Sequence, residues 1–286
     1  MRKLPFFFSC LVCLFISATV CAQQIQIMTY NIRLDLESDG INKWSNRKEI
    51  FAAQVKFYEP DVLGMQETVP GQVNYLDSSL TNYKHVGIGR EGIGKGESAP
   101  IFYNTNRLKL LQQNTFWLSE TPEQISKGWD ASYLRVCTYA LFADKKTKQQ
   151  FWVFNTHLDN NGKVAREKSA ALILKTIDSL NIKKLPVFFT GDFNATPETD
   201  VIGNIKKVMN DARDLSVAKP FGPSGTFNNF EFNKPVTLLI DYIFISSAAN
   251  VTVNKYAVLS DSYDLKYPSD HLPVFVQLRF NTKRAR

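Results

Sequence analysis

Six apolar runs in this chain end or break on a polar side chain of a kind that does chemistry. That pattern constrains the fold more than any other feature. Met28-Thr29-Tyr30 leads to Asn31, and Leu63-Gly64-Met65-Gln66 leads to Glu67. Residues 153–156 lead to His157, and residues 187–191 lead to Asp192, with Asn194 two positions on. Asp241 lies inside Leu239-Ile240-Asp241-Tyr242-Ile243, and Asp270-His271 stand just before Leu272-Pro273-Val274. Short apolar runs of this sort read as buried strands. Polar residues at their ends fall on a sheet rim, where a rigid scaffold can hold a site.

The remaining pattern agrees. Strands are expected at 24–30, 61–66, 83–89, 99–104, 109–118, 133–143, 150–156, 186–190, 238–245, 251–258 and 273–280. Asn46 can cap a helix with Glu49 three residues on; Phe51, Val55 and Tyr58 make its stripe and Pro60 ends it. Val73, Leu76 and Leu80 mark a short second helix. Residues 164–180 make the clearest helix, with Ile173, Ile177 and Leu180 on one face, and Thr196 can cap another with Pro197 in its first position. Many strands and few long helices predict two packed sheets flanked by helices. With 286 residues, 44% of them hydrophobic, the chain can bury one large core or two small ones. No internal repeat, low-complexity block or linker is visible.

Met1-Arg2-Lys3, the apolar run 4–18 and the small-x-small pattern Val20-Cys21-Ala22 read as a secretory signal over 1–22, so the mature domain is expected to cover 23–286. The run is short for a spanning helix, and no later segment is long and apolar enough to cross a membrane, so no transmembrane anchor is expected after cleavage. The expected location is exported, periplasmic or secreted; lipid attachment at Cys21 is an alternative that the bulky Val20 disfavours. Three of the four cysteines lie in this leader, so the mature chain keeps only Cys137, in an apolar run that suits a small core residue. The formal net charge is +7, or +5 without Arg2 and Lys3, which suits an anionic substrate and many unrelated proteins as well.

Each polar position alone has a plain reading. An Asn after a strand is usually a turn residue, and Glu67 could be an ordinary loop charge. Asp241 is harder to dismiss, because a carboxylate inside an apolar strand is buried and needs a cation, a histidine or a hydrogen-bond donor. Of three histidines, His157 and His271 both fall at such positions, while His85 has no acidic neighbour in sequence and receives no role. Strand-end acids, asparagines and two histidines together suit phosphoryl transfer from an ester. Oxygen ligands such as Asn31, Glu67 and Asp270 favour Mg²⁺, with Mn²⁺ or Ca²⁺ as alternatives, over zinc. A histidine paired with an aspartate can exchange a proton near neutral pH.

These stretches resemble the endonuclease/exonuclease/phosphatase superfamily, which includes DNase I-like nucleases, sphingomyelinases and inositol-phosphate phosphatases. The carriers are T-Y-N-I-R at 29–33, Q-E at 66–67, N-T-H-L at 155–158, G-D-F-N at 191–194, I-D-Y-I-F at 240–244 and S-D-H-L-P-V at 269–274. The resemblance implies an α/β fold: a four-layer α/β sandwich of two packed, mostly antiparallel β-sheets flanked by helices, with the site at one end of the sheets. It implies Glu67 as the main metal ligand, with Asn31 and Asp270 at the same or a second metal position. His271 would be the general base or a phosphate contact, oriented by Asp241. Asp192 would orient or deprotonate water, Asn194 would bind phosphate, and His157 would stabilise the phosphate or protonate the leaving group.

Two further stretches are similar to one bacterial branch. In residues 89–103, a glycine-rich loop, expected to be mobile, leads into a strand, Arg90 could reach the substrate, and Glu97 is expected near His157. In residues 116–140, Arg135 stands where a phosphate-binding arginine would be expected, a surface salt bridge being the alternative; Trp117 and Trp129 read as packing residues. Residues 235–239 are less polar than the family pattern suggests. No long basic insertion for duplex DNA and no membrane hairpin is seen. The expected activity is hydrolysis of a phosphate ester, either diester or monoester, in a nucleic acid, a lipid headgroup or a small molecule, with a slight preference for a small substrate and no stable protein partner. The alternatives are a secreted nuclease acting on DNA or RNA and a non-catalytic binder of phosphate polymers.

Overall fold

A computed structural model describes residues 24–281 of the chain. The leader expected at 1–22, its expected cleavage site and the basic residues after 281 lie outside the described residues. Twelve strands and four helices follow in the order β1 Gln24–Asn31, α1 Trp44–Tyr58, β2 Val62–Gln66, α2 Pro70–Ser79, β3 Tyr83–Val86, β4 Ile101–Asn104, β5 Leu108–Trp117 and β6 Val136–Asp144, then β7 Gln150–His157, α3 Lys163–Leu180, β8 Val187–Asp192, α4 Asp200–Lys206, β9 Met209–Asp211, β10 Asp241–Ser246, β11 Val251–Val258 and β12 Val274–Phe280. A 3-10 turn, Glu37–Asn42, precedes α1.

The strands form two six-stranded sheets, β11-β12-β1-β2-β4-β3 and β5-β6-β7-β8-β10-β9. Each has one parallel pair at its centre, β1 with β2 and β7 with β8, and is otherwise antiparallel. Each parallel pair is joined through a helix, α1 or α3. The two sheets therefore repeat one pairing scheme, which left no trace in the sequence because the side chains filling it differ.

Three apolar layers hold the sandwich. Alternation along β1 sends Ile25 and Ile27 inward, where they meet Phe151, Val153 and Phe188 of the second sheet. Met28 and Tyr30 point outward onto Phe51 and Val55 of α1 and Leu76 of α2. Phe154 and Phe189 point the other way onto Ile173 of α3 and Ile202 and Ile205 of α4. Helix, sheet, sheet and helix are thus the four expected layers.

A polar bridge crosses the inner layer. Gln66 Nε2 donates to Thr29 Oγ1 at 3.0 Å and to Asn155 Oδ1 at 2.8 Å. Thr190 Oγ1 donates to the same Oδ1 at 3.1 Å, and Asn155 Nδ2 donates to the carbonyls of Met65 and Pro100. Gly64 makes the approach possible, since a Cβ there would sit 2.5 Å from Asn155 Oδ1. The bridge lies one residue before Glu67 and two before His157, so it fixes the two sheets relative to each other beside the strand ends.

Some boundaries differ from the sequence reading. Helix α1 begins at Trp44, and the Asn46 side chain donates to the Ile41 carbonyl instead of capping. Burial of Trp44 and Arg47 sets the start there. The Thr196 carbonyl accepts from Thr199 in a turn, and α4 starts only at Asp200. Strand β10 starts at Asp241, after Leu238 has paired with Phe227. Within the apolar 235–239 approach, Val236 and Leu239 are buried. Cys137 is a free, buried core residue, as expected.

Candidate active site

The two parallel pairs end at the same rim, and register does the rest. His157 pairs with Asp192 across β7 and β8, and Asp192 pairs with Asp241 across β8 and β10. Asn31 lies opposite Gln66 across β1 and β2, which brings Glu67 alongside. The Ser269 hydroxyl donates to the Asn31 carbonyl at 2.7 Å and ties the Asp270-His271 loop to the end of β1.

Asp192 is the centre of the site. Asn31 Nδ2 donates to its Oδ2 at 2.9 Å and to Glu67 Oε1 at 3.0 Å, joining the two halves. The same Oδ2 lies 3.5 Å from His157 Nε2 and 3.7 Å from His271 Nε2. The Asn194 amide N–H donates to Asp192 Oδ1, and Asn194 Nδ2 lies 3.0 Å from His157 Nε2. Gly191 is required just before it, because any Cβ would collide with the Thr156 carbonyl oxygen of β7.

Asp241 finds the partner its burial demands. His271 Nδ1 lies 2.9 Å from Asp241 Oδ2, and Thr226 Oγ1 donates to the same oxygen at 2.5 Å. Asp241 Oδ1 is buried with no hydrogen-bond partner, which leaves it open to a cation. Asp270 is buried beside Ser269 Oγ, with Arg33 Nε 3.9 Å from its Oδ2.

Burial and neighbouring charge push these groups apart. Asp192 is pushed up to about 7 by burial and by the Asp241 carboxylate, against the pull of His271 and Asn31. Burial raises Asp270 as well, with His271 opposing. Burial alone would lower His271, but the Asp241 carboxylate outweighs it and holds the imidazole well above its ordinary value. His157 goes the other way, lowered well below its ordinary value by burial and by Arg135, His271 and Arg90. One histidine is therefore held as imidazolium and the other as neutral imidazole.

The backbone is strained at the same place. Arg33, Glu67 and Asn194 all have left-handed φ, at 56°, 62° and 46°. Such conformations persist in side-chain-bearing residues only where the surroundings enforce them.

Of the substrate-binding candidates, Arg90, Glu97 and Arg135 join Glu67 and His157 around one recess. Glu97 shares that recess with His157, but its partner is Arg90, whose Nη2 lies 2.7 Å from Glu97 Oε1. Burial raises the Glu97 carboxyl, and Arg90 opposes it. Arg135 is buried, not a surface residue, and lies 3.4 Å from Asp159 Oδ2. The 89–97 loop is tied down: Arg90 N donates to the Glu97 carbonyl, and the Trp117 indole donates to the Arg90 carbonyl, both at 2.7 Å. Trp117 is buried, as a packing residue should be. His85, which had no partner in sequence, lies 2.8 Å from Asp77 Oδ1 on the surface, away from the site.

Sequence reasoning missed three supports. Thr226 holds Asp241 from an irregular segment that carries no motif. Asp159 accepts from the amides of Ser132, Tyr133, Asn161 and Gly162 and so builds the loop that presents Arg135. Arg47 is buried on α1, and donates to the carbonyls of Ile32 and Arg33, after Asn31, and of Pro268, before Asp270. Only Asp159 had a signal available, as an acid two residues beyond His157.

Among the described residues, Asp192, Asp241 and His271 offer donor atoms within 4.8 Å of one another, a cluster capable of holding a metal ion. Paired sheets, strand-end carboxylates and two histidines, one held charged and one neutral, define a hydrolase suited to metal-assisted cleavage of a phosphoester. The sequence profile of the Endonuclease/Exonuclease/phosphatase family matches residues 28–271, and the chain belongs to that family. An endonuclease/exonuclease/phosphatase family protein from Bacteroides thetaiotaomicron superposes with a TM-score of 0.88 at 35% identity, over 91% of this chain and 99% of that one. A mannosyl-6-phosphatase of the same organism superposes with a TM-score of 0.86 at 36% identity, over 90% and 100%. The CCR4-Not complex 3'-5'-exoribonuclease subunit of Kluyveromyces lactis is 22% identical over 85% of this chain, which spans only 38% of that protein's length.

Proposed function

We propose that this chain is an exported, divalent-metal-dependent phosphomonoesterase acting on a small sugar phosphate. The observation that carries the proposal is the junction at Asn31, which bonds both Glu67 and Asp192 and so joins an oxygen-rich set to an Asp-His pair. Likeness to the mannosyl-6-phosphatase favours a phosphorylated sugar over a polymer. The apolar leader at 1–22 supports export into a periplasmic or external space. No helix among the described residues is long and apolar enough to cross a membrane.

Glu67, Asn31 and Asp270 are the proposed metal ligands, and their oxygen donors would fit Mg²⁺, with Mn²⁺ or Ca²⁺ as substitutes. Asn31 would join the set by turning toward the ion the Oδ1 that here accepts from the Arg33 amide, since its Nδ2 now faces Glu67. The unpartnered Asp241 Oδ1 and the closeness of Asp192 provide further negative charge for a cation. When bound, the ion supplies Lewis-acid stabilisation of charge on the phosphate and the leaving oxygen.

The residues divide the remaining work by protonation state. Asp192, near neutrality, is the group suited to take a proton from the attacking water. His271, held as imidazolium by Asp241, donates to a phosphate oxygen as charge develops. His157, neutral, and Asn194 orient the phosphate from the other side, and Asp241 keeps His271 in place. Water oxygen bonds to phosphorus as its proton passes to Asp192, the bond from phosphorus to the sugar oxygen breaks, and the departing sugar oxygen takes a proton from solvent water and leaves as an alcohol.

The test is turnover by the purified mature protein of mannose 6-phosphate, 4-nitrophenyl phosphate, bis(4-nitrophenyl) phosphate and an RNA oligonucleotide, with Mg²⁺ or Mn²⁺ and with EDTA. Monoester hydrolysis that depends on the cation and exceeds diester and RNA cleavage is the expected result. Faster RNA cleavage overturns the proposal for the nuclease alternative, and absence of turnover on all four overturns it and favours the binding alternative.

A further inference from the structure

The recess beside His157 has a use that hydrolysis alone does not require. It is lined by Glu67 and His157 at the catalytic end and by Arg90, Glu97 and Arg135 beyond. Asp192 Oδ2 lies between the two histidines, 3.5 Å from His157 and 3.7 Å from His271, which marks the place of the phosphate. Glu67 and His157 line both that place and the recess, so the recess opens directly onto it. In a monoester the one carbon-bearing group on phosphorus is the leaving group, and the recess is the space beside the phosphate that can receive it.

The groups there are preorganised. Arg90 and Glu97 are mostly buried, at 15% and 16% side-chain exposure, and locked to each other at 2.7 Å. Arg135 is fixed by Asp159 and Asn160. The Tyr133 ring lies 5.2 Å from the Arg90 guanidinium and 5.6 Å from that of Arg135, yet remains 48% exposed. Arginines held over an aromatic ring in this way are rigid.

The charge balance discriminates between leaving groups. Each cation of the recess is already matched, Arg90 by Glu97 and Arg135 by Asp159. A leaving group with a further phosphate meets the Glu97 carboxylate and gains no unmatched cation among these residues. A neutral polyol suits the pair better, because every hydroxyl both donates and accepts. Its donors face Glu97 and its acceptors face the guanidinium N–H groups.

We propose that Arg90, Glu97 and Tyr133 form the leaving-group subsite and select a neutral polyhydroxyl moiety over an anionic one. This rests on the phosphomonoesterase reading. The experiment compares kcat/KM for mannose 6-phosphate, fructose 1,6-bisphosphate and 4-nitrophenyl phosphate in the wild type, Glu97→Gln and Tyr133→Leu, with Mg²⁺ present and folding checked by thermal melting. Glu97→Gln frees the Arg90 charge and should raise the bisphosphate-to-monophosphate ratio about tenfold. Tyr133→Leu should lower the ratio of mannose 6-phosphate to the aryl ester about tenfold, chiefly through KM. Ratios unchanged in both variants overturn the subsite while leaving the phosphatase reading intact. A wild type inactive on all three esters overturns that reading, and the subsite with it.

Discussion

Arg47 should be the most damaging single position to change outside the chemistry itself. Its guanidinium is buried and contacts no carboxylate directly. Instead it donates to four carbonyls: Nε to Asn42 at 2.8 Å, Nη1 to Ile32 at 2.5 Å and Pro268 at 3.1 Å, and Nη2 to Arg33 at 2.7 Å. The Trp44 ring packs on it at 5.1 Å. Replacing it with Met fills most of the space but strips a donor from every one of those carbonyls. Hydrogen bonds to a charged donor contribute roughly 1.5–3 kcal/mol each, and the relief of a buried cation's desolvation offsets part of the loss. A net loss of about 3–5 kcal/mol follows, and at about 2–4 °C per kcal/mol for a large domain the melting temperature should fall by about 10 °C. Arg47→Lys keeps the charge but not the fork, and should lose roughly half as much. At a temperature where both variants are folded, freeing the 31–33 and 268–270 segments should cost about 10²-fold in kcat/KM. It should also weaken Mg²⁺ binding, measured separately by calorimetry. A melting temperature for Arg47→Met within about 2 °C of wild type, or unchanged Mg²⁺ binding with folding intact, would refute the reasoning.

Asp241→Asn should remove the carboxylate that keeps His271 charged and lower kcat by about 10²–10⁴-fold. It also breaks the buried pair of Asp241 Oδ2 with His271 Nδ1 at 2.9 Å, so the melting temperature should fall by roughly 5 °C or more, and an unchanged kcat or an unchanged melting temperature would contradict this. Asp192 must be ionised to accept a proton, so kcat/KM should fall as pH drops through about 7, and Mg²⁺ should move that limb to lower pH. The same shift acts on stability with the opposite sign. Between the ordinary carboxylate value, about 4, and about 7, folded Asp192 binds more proton than the unfolded chain, so metal-free protein should lose stability as pH rises over that interval, as urea titrations in EDTA would report. Asp144 differs in direction: burial raises it, but the Thr147 and Lys146 amides and Arg107 outweigh burial and hold it low. Its contribution is present above about pH 4 and lost as pH falls through the folded value, so Asp144→Asn should flatten the acid limb of stability.

The sequence was most legible where a residue's role follows from its place on a strand. Asn31, Glu67, His157, Asp192, Asp241 and His271 could be read because a buried strand ending in a chemically able side chain has few explanations, and register then brings them together. Local signals failed where packing competed with them. Asn46 and Thr196 are good capping residues, yet burial of Trp44 and the Thr199 turn decide the helix starts. Strand β9, at three residues, is too short to show a period. Thr226 and Arg47 were invisible for another reason. Their partners are a carboxylate and carbonyls contributed by distant segments, up to 221 residues away for Arg47 and Pro268, and no pattern along the chain encodes a bond of that kind.

Geometry of the site depends on the duplicated pairing scheme more than on any one motif. Sheet one supplies Asn31 and Glu67, and sheet two supplies His157, Asp192 and Asp241. Neither sheet holds enough oxygen donors and proton carriers to cleave an ester by itself. Their separation must therefore be fixed to a fraction of an ångström, and apolar packing, which tolerates small sliding, does not supply that alone. The Gln66–Asn155–Thr190 bridge does, because buried hydrogen bonds lose much of their value when stretched and cannot be replaced by water there. The left-handed backbone at Glu67 and Asn194 lies just beyond that bridge. The chain turns sharply after each strand, so that Glu67 accepts from Asn31 and the Leu34 amide while Asn194 reaches His157 and the Leu158 carbonyl, and these bonds hold the strained turns in place.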